Sequence, residues 1–323
     1  MSGRLEHYFF SGCLTRDMIT KLANMPNYVP IDVLVSQVDR SSVKTALQYK
    51  KEGLVDNIFI DSGAFSFHTG KAQLDLEDYI KFLNDLDDQI LVCAQVDTIP
   101  GKFGQPKSEQ DYINSANASW ENYLYMRTKL KSPKKLTPVF HYGESFSALQ
   151  RMLDWRDENG EPIDYIGISP ANDTGQKVKN IYMREVYDFI AKSSHPNVKT
   201  HLSGMTSLEG LALVPAYSCD SISHRHIAAY NKLLLPEFGV VSMTRLPRTS
   251  RSRSGMNFVE SADDIARKKL EDYLTMLGTT IEECENDSAV RCAVTMYTII
   301  QELRKGTYHP DNVVRPKRLF SAD

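Results

Sequence analysis

Between residues 7 and 244 one pattern repeats: a short apolar run, a small or polar break, then a stretch with helical spacing. The apolar runs are HYFFSG (7–12), IDVLVSQ (31–37), NIFIDS (57–62), ILVCAQVD (90–97), LTPVFH (136–141), DYIGIS (164–169), VKTHLSG (198–204), YSCDSIS (217–223) and VVSMT (240–244). Several lack clean alternation, which suits strands covered on both faces of a parallel sheet. LEDYIKFLNDL (76–86) sets Tyr79, Phe82, Leu83 and Leu86 on one helical stripe. FSALQRMLDW, opened by Ser145, does the same with Phe146, Leu149, Met152 and Leu153, and IYMREVYDFIA (181–191) reads alike. TSLEGLAL (206–213) begins with Thr206-x-x-Glu209, a capping box. Strands alternating with helices call for a parallel α/β sheet with right-handed crossovers.

Eight or nine such units suit a closed (β/α)8 barrel better than a doubly wound sheet, whose GxGxxG turn is missing. Beyond residue 255 the pattern becomes helical: ADDIARKKLEDYLTMLG (262–278), stopped by Gly278, then IEECENDSAVRCAVTMYTIIQELRKG (281–306). The expected organisation is a barrel over 1–255, including a basic loop at 244–255, and a C-terminal helical extension over 256–323 packed on it.

Hydrophobic residues make up 41% and charged residues 24%, which indicates a soluble globular chain. No stretch approaches the roughly 18–20 apolar residues of a membrane span. The first residues, MSGRLEHYFFSGC, lack the apolar segment of a secretory signal, so a cytoplasmic location and no membrane partner are expected. Cys13, Cys93, Cys219, Cys284 and Cys292 are scattered without a CxxC pair, and read as reduced structural thiols rather than disulfides or a zinc site. A net charge of −3 argues against unspecific coating of nucleic acid. TRLPRTSRSRSG (244–255) nevertheless concentrates Arg245, Arg248, Arg251 and Arg253 with no acid. It reads equally as a phosphate contact or as a solvated surface loop.

Barrel chemistry occurs at the C-terminal ends of the strands. There this chain carries Asp61, Asp97, His141, Gly167, His201, Gly204 and Asp220. A lone aspartate there is usually a turn former or helix cap. Three aspartates and two histidines on five strand ends are brought together by the fold and must perturb one another's protonation. Two chemistries fit. Asp61, Asp97, His141, His201 and Asp220 could ligate a metal for hydrolysis, although HExxH is absent. Alternatively, one carboxylate is a nucleophile and another an acid/base in glycosyl transfer.

The segment IDSGAFS (60–66) resembles the DSGGFQ-type motif of tRNA-guanine transglycosylases, (β/α)8 enzymes that exchange guanine for a 7-deazaguanine. AQVDTIPG, PVFHYGE, YIGIS, THLSGMTSLEGL and PAYSCDSIS follow in the family's order. The likeness spans about residues 7–225 and is strongest to the shorter phage and bacterial members, including the DpdA-type enzymes that modify DNA. It implies that Asp220 attacks C1′ of a nucleotide and expels guanine through a covalent aspartyl-glycosyl intermediate. Asp61 would then be the general acid/base and Asp97 the acceptor for the guanine edge. His141 falls where the tRNA enzymes use a base-reading Gln. Ser62 would line the base site, Gly167 and Gly204 would admit the flat heterocycle, and Phe65 would stack on it or remain in the core.

The same resemblance implies a nucleic-acid partner, DNA before tRNA, and a 7-deazaguanine co-substrate without further cofactor. If the gene is a phage's, the location is the host cytoplasm. DSGGFQ has become DSGAFS, and the family's CxCxxC zinc cluster is missing, so no structural zinc is expected. A shifted register would put Ser223 at the nucleophile position and leave a non-catalytic homologue that binds a base or nucleic acid.

Overall fold

The computed structural model describes residues 5–12, 14–70, 75–102, 104–170, 174–204, 208–236, 238–243 and 262–305. Nine parallel strands form one sheet: β1 (His7–Ser11), β2 (Ile31–Ser36), β3 (Val55–Asp61), β4 (Val92–Ala94), β5 (Leu136–Thr137), β6 (Val139–His141), β7 (Tyr165–Ser169), β8 (Lys199–Leu202) and β9 (Ser218–Ser221). Their order is β5-β4-β3-β2-β1-β9-β8-β7-β6, so the first and last strands lie side by side in its middle. The two edges, β5 and β6, are halves of one run split at Pro138. Proline has no N–H for the ladder, yet its carbonyl still accepts from Gly167 N at 2.7 Å. With β5 paired to β4 and β6 to β7, the sheet takes the barrel shape of a (β/α)8-like α/β fold.

Helices alternate with the strands: α1 (Arg16–Ala23), α2 (Arg40–Lys51), α3 (Ala64–His68), α4 (Leu76–Asp85), α5 (Glu109–Lys129), α6 (Phe146–Asp154), α7 (Gln176–Ala191), α8 (Leu208–Leu211) and α9 (Ser223–Ala229). The stripe predicted for α4 holds, with Tyr79, Ile80 and Leu83 buried, and Ser145 caps α6 by accepting from Ser147 N. The helices and outward strand faces share one large apolar core. A second, small cluster of Phe9, Phe59, Val92, Ala94 and Tyr165 fills the barrel interior. Its members alternate along their strands, as inward-facing barrel positions must.

Several expectations change. Only residues 92–94 of ILVCAQVD are strand, so Asp97 lies on a loop beyond β4. VVSMT contributes β11 (Gly239–Ser242), but in an antiparallel hairpin with β10 (Lys232–Leu235), a strand the apolar pattern did not announce. The capping-box residue Thr206 lies outside the described residues. After α10 (Asp264–Met276), Gly278 has φ +75, a left-handed stop that glycine supplies without strain. The 281–306 stretch is two helices, α11 (Ile281–Asn286) and α12 (Ser288–Arg304). Asp287 separates them because its carboxylate caps α12, accepting from Ala289 N at 2.7 Å.

The extension packs on the barrel, with α12 against α1, α9 and β10. Arg291 of α12 is 5% exposed, and its guanidinium donates to the carbonyls of Ala228, Cys284 and Glu285. Burying a cation is tolerable only with such partners. No helix among the described residues is long and apolar enough to cross a membrane.

Candidate active site

The turn after β3 explains why small residues follow Asp61. Gly63 has φ +81, and a Cβ there would come within 2.3 Å of Val38 Cγ2 and 3.1 Å of Ser36 Oγ. Only glycine fits, so the chain reverses at once and Gly63 N donates to Asp61 Oδ2 at 2.9 Å. Ser62 is wholly buried and donates to Asp97 Oδ1 at 3.2 Å, joining two strand ends.

Asp97 belongs to a second unit. The loop after β4 is pinned to α5 by Asn122 Nδ2 on Val96 O and by Ser119 Oγ, which accepts from Thr98 N at 2.8 Å. It sets Asp97 Oδ2 2.7 Å from His141 Nε2 at the end of β6. The chain then turns through Gly143, where a Cβ would overlap the Tyr112 ring, and Glu144 folds back beneath His141. Glu144 Oε1 lies 3.0 Å from His141 Nδ1, and its other oxygen accepts from His141 N. Burial disfavours a charged His141, but the hydrogen bonds to Asp97 and Glu144 outweigh it and push the ring up to about 10. At neutral pH His141 is thus a buried imidazolium held between the side chains of Asp97 and Glu144.

Asp220 forms the third unit. Its Oδ2 accepts from Ser11 Oγ at 2.5 Å across the β1–β9 pairing. Its Oδ1 accepts from Gly204 N at 2.7 Å and lies 3.3 Å from His201 Nε2. Burial pushes the carboxyl upward, yet the hydrogen bonds from His201, Ser11 and Gly204 prevail and hold it below the ordinary range. Asp61 shows the opposite balance. Burial and then the charge of Asp97 raise it to about 6, with Asp220 adding repulsion and only Gly63 N and Ser36 opposing. Asp61 thus feels both of the other aspartates, which places the three in a common polar layer. That layer rests on the aromatic interior, with the His201 ring 4.6 Å from Phe59.

The strand-end residues singled out in the sequence therefore converge in part. Asp61, Ser62, Asp97, His141, His201, Gly204 and Asp220 meet at one mouth of the barrel. His141 has both ring nitrogens engaged, by Asp97 and by Glu144. At Gly167 a Cβ would meet Val139 Cγ2 at 3.2 Å and Pro138 O at 3.4 Å, so the close approach glycine permits here is to the neighbouring strand. Phe65 is 56% exposed on α3, not a core residue. Ser223 opens α9 and bonds Tyr8 in the outer core, so the shifted register does not bring it into this layer. Arg245, Arg248, Arg251 and Arg253 lie outside the described residues.

Sequence reading missed Ser11, Ser36, Glu144, Tyr165 and Ser218. Ser11 and Ser36 end apolar strands as Asp61 does, and that signal could have found them. It also passed over one His-x-His pair, His224 and His226. His224 is buried against the Phe10 ring with neither ring nitrogen hydrogen-bonded, and His226 is exposed on α9, so the two do not face a common point. Among the described residues no three His, Cys, Asp or Glu side chains are grouped to hold one metal ion.

No protein-family model matches the chain, and a search of curated proteins finds no significant match.

Proposed function

We propose that this protein is a base-exchanging transglycosylase that replaces guanine in a polynucleotide with a 7-deazaguanine. One observation carries the reading: two buried carboxylates in one layer of strand ends are driven apart, Asp220 held below the ordinary range and Asp61 raised to about 6. Such divergence assigns roles, a standing nucleophile and a proton handler. An Asp220 oxygen forms a bond to C1′ as the C1′–N9 bond breaks. The electron pair leaves with the base, which takes a proton from Asp61. An incoming 7-deazaguanine then returns a proton to Asp61 while its nitrogen displaces Asp220 from C1′.

Asp97 supports recognition of the leaving base. Each of its oxygens accepts one internal hydrogen bond and keeps a lone pair, enough for the N1–H and exocyclic amine of guanine. The His141 ring, with Nε2 2.7 Å from Asp97 Oδ2, fixes the orientation of this carboxyl group. Asp97 and Asp220 keep only 11% and 13% side-chain exposure, so one nucleotide enters a deep site and a paired base must be extruded. DNA is the preferred substrate and tRNA the alternative, on the resemblance to the shorter transglycosylases.

The test is incorporation of labelled 7-deazaguanine into duplex DNA, single-stranded DNA and tRNA, with nucleosides read by mass spectrometry. Incorporation by the wild type and none by Asp220→Ala is expected. No incorporation into any of the three substrates, or full incorporation by Asp220→Ala, rejects the reading.

A further inference from the structure

The two oxygens of Asp220 are not equivalent, and a buried chain of side chains makes them so. Ser218 Oγ lies 2.6 Å from His201 Nδ1 and is also hydrogen-bonded to the Tyr165 hydroxyl. Tyr165 is 7% exposed, and among the described residues its hydroxyl has no other partner. If Ser218 donated to Tyr165, the tyrosine hydrogen would be buried without an acceptor, an arrangement proteins avoid. Tyr165 therefore donates to Ser218, and Ser218 donates to Nδ1 of His201. That leaves the ring hydrogen on Nε2, directed at Asp220 Oδ1. Phe59, Phe9 and Tyr165 surround the ring at 4.6, 6.0 and 6.5 Å between centroids and restrict its rotation.

Oδ1 thus faces two donors, Gly204 N at 2.7 Å and His201 Nε2 at 3.3 Å, whereas Oδ2 faces one, Ser11 Oγ at 2.5 Å. Esterification turns one carboxylate oxygen into a poor acceptor and the other into a carbonyl with two lone pairs. Attack through Oδ1 would take the acceptor from the part-buried Gly204 N–H and from the ring N–H of buried His201. Attack through Oδ2 displaces a single hydroxyl that rotates freely. Resting on the transglycosylase reading above, we propose that Oδ2 is the bond-forming atom. His201, fixed by Ser218 and Tyr165, is then a positioning residue that reserves Oδ1 as the ester carbonyl. In the step, an Oδ2 lone pair makes the bond to C1′, the C1′–N9 pair departs with the base, and Oδ1 keeps both its donors throughout.

The test uses the full chain and compares exchange kinetics of wild type, Tyr165→Phe, Ser218→Ala, the Tyr165→Phe/Ser218→Ala double variant, His201→Gln and His201→Ala. Fold integrity is followed by thermal melting, because His201→Ala leaves a void. Tyr165→Phe and Ser218→Ala should each lower kcat roughly 10- to 100-fold with KM unchanged. The double variant should be no worse than the poorer single one, because the hydroxyls act as one chain. His201→Gln, whose amide can still donate to Oδ1, should retain more activity than His201→Ala. A folded Tyr165→Phe and Ser218→Ala with wild-type kcat overturn the positioning role, as does strict additivity of their losses. If the wild type does not exchange, or Asp220→Ala still does, the transglycosylase reading fails instead, so the two failures are told apart.

Discussion

Asp220 and Asp61 stand at the ends of β9 and β3 in the same polar layer, yet the protein treats them oppositely. Asp220 receives donors from three other segments: Ser11 on β1, His201 on β8 and the Gly204 backbone beyond it. Asp61 receives Gly63 N from its own turn and the Ser36 hydroxyl, while Asp97 and Asp220 repel it. Burial is common to both and pushes both upward, so the supply of donors decides the sign. The difference teaches that, among like charges in one layer, the donors aimed at each carboxyl decide which way its proton affinity moves.

The largest effect should come from removing the better-supplied carboxylate. Asp220→Asn keeps the shape and, on the proposed mechanism, removes the nucleophile. Exchange and any covalent protein–nucleic acid adduct on denaturing gels should fall by at least about 10³-fold. An adduct surviving in Asp220→Asn but lost in Asp61→Asn would reverse the assignment.

Asp61→Asn should lower kcat roughly 10²- to 10⁴-fold, the range for a proton-transfer group. It should also abolish the limb of the pH–rate profile near pH 6 that the raised Asp61 sets in the wild type. Stability separates the two aspartates further. A folded pKa raised to about 6 means that ionised Asp61 opposes folding. That cost is absent below the ordinary value of 3.8, grows between there and about 6, and is complete above it. Asp61→Asn should therefore melt higher than wild type at pH 8, by up to about 3 kcal/mol of stability, and match it near pH 4. Asp220 is shifted down, so its folded-state advantage is present above the ordinary value and lost as pH falls through the lowered one. Asp220→Asn should melt lower than wild type at pH 8, with the gap closing in acid. Equal melting shifts in the two variants would erase the contrast.

A smaller effect is expected from Gly63→Ala, which attacks the turn and leaves both carboxylates in place. The added methyl meets Val38 and forces a left-handed alanine, at a cost of about 1–3 kcal/mol. Its readout is a lower melting temperature with a displaced pH 6 limb. Smallest is Glu144→Gln, which removes one of the two carboxylates holding His141 charged. KM for the polynucleotide should rise roughly tenfold with the Asp61 limb unmoved.

Much of this was legible in the sequence because both signals are local. Apolar runs such as NIFIDS and DYIGIS separated by helical stripes specify the barrel, and the topology carries Asp61, Asp97, His141, His201 and Asp220 to one end. What was hidden depends on contacts between segments. Nothing near Pro138 announces that it parts one run into the two edges of the sheet. KLLL (232–235) is too short and too near VVSMT to declare itself a strand before the hairpin pairs it. Tyr165 and Ser218 look like ordinary strand residues, since their bond forms only when β7 and β9 face each other across the interior. Glu144 follows a turn whose reversal depends on the Tyr112 ring, 32 positions upstream of it by number.

The Ser11–Asp220 hydrogen bond has a consequence for biosynthesis. It joins the first strand of the barrel to its last, 209 positions later. Loop closure over such a span comes late in folding, and α12, which bridges α1 and α9, is made later still. Until then the chain has a carboxylate at 220 but lacks the donor from residue 11 that helps keep it ionised. A nascent or truncated chain therefore lacks one of the donors that hold residue 220 below the ordinary carboxylate range, and the polar layer is complete only with the finished barrel.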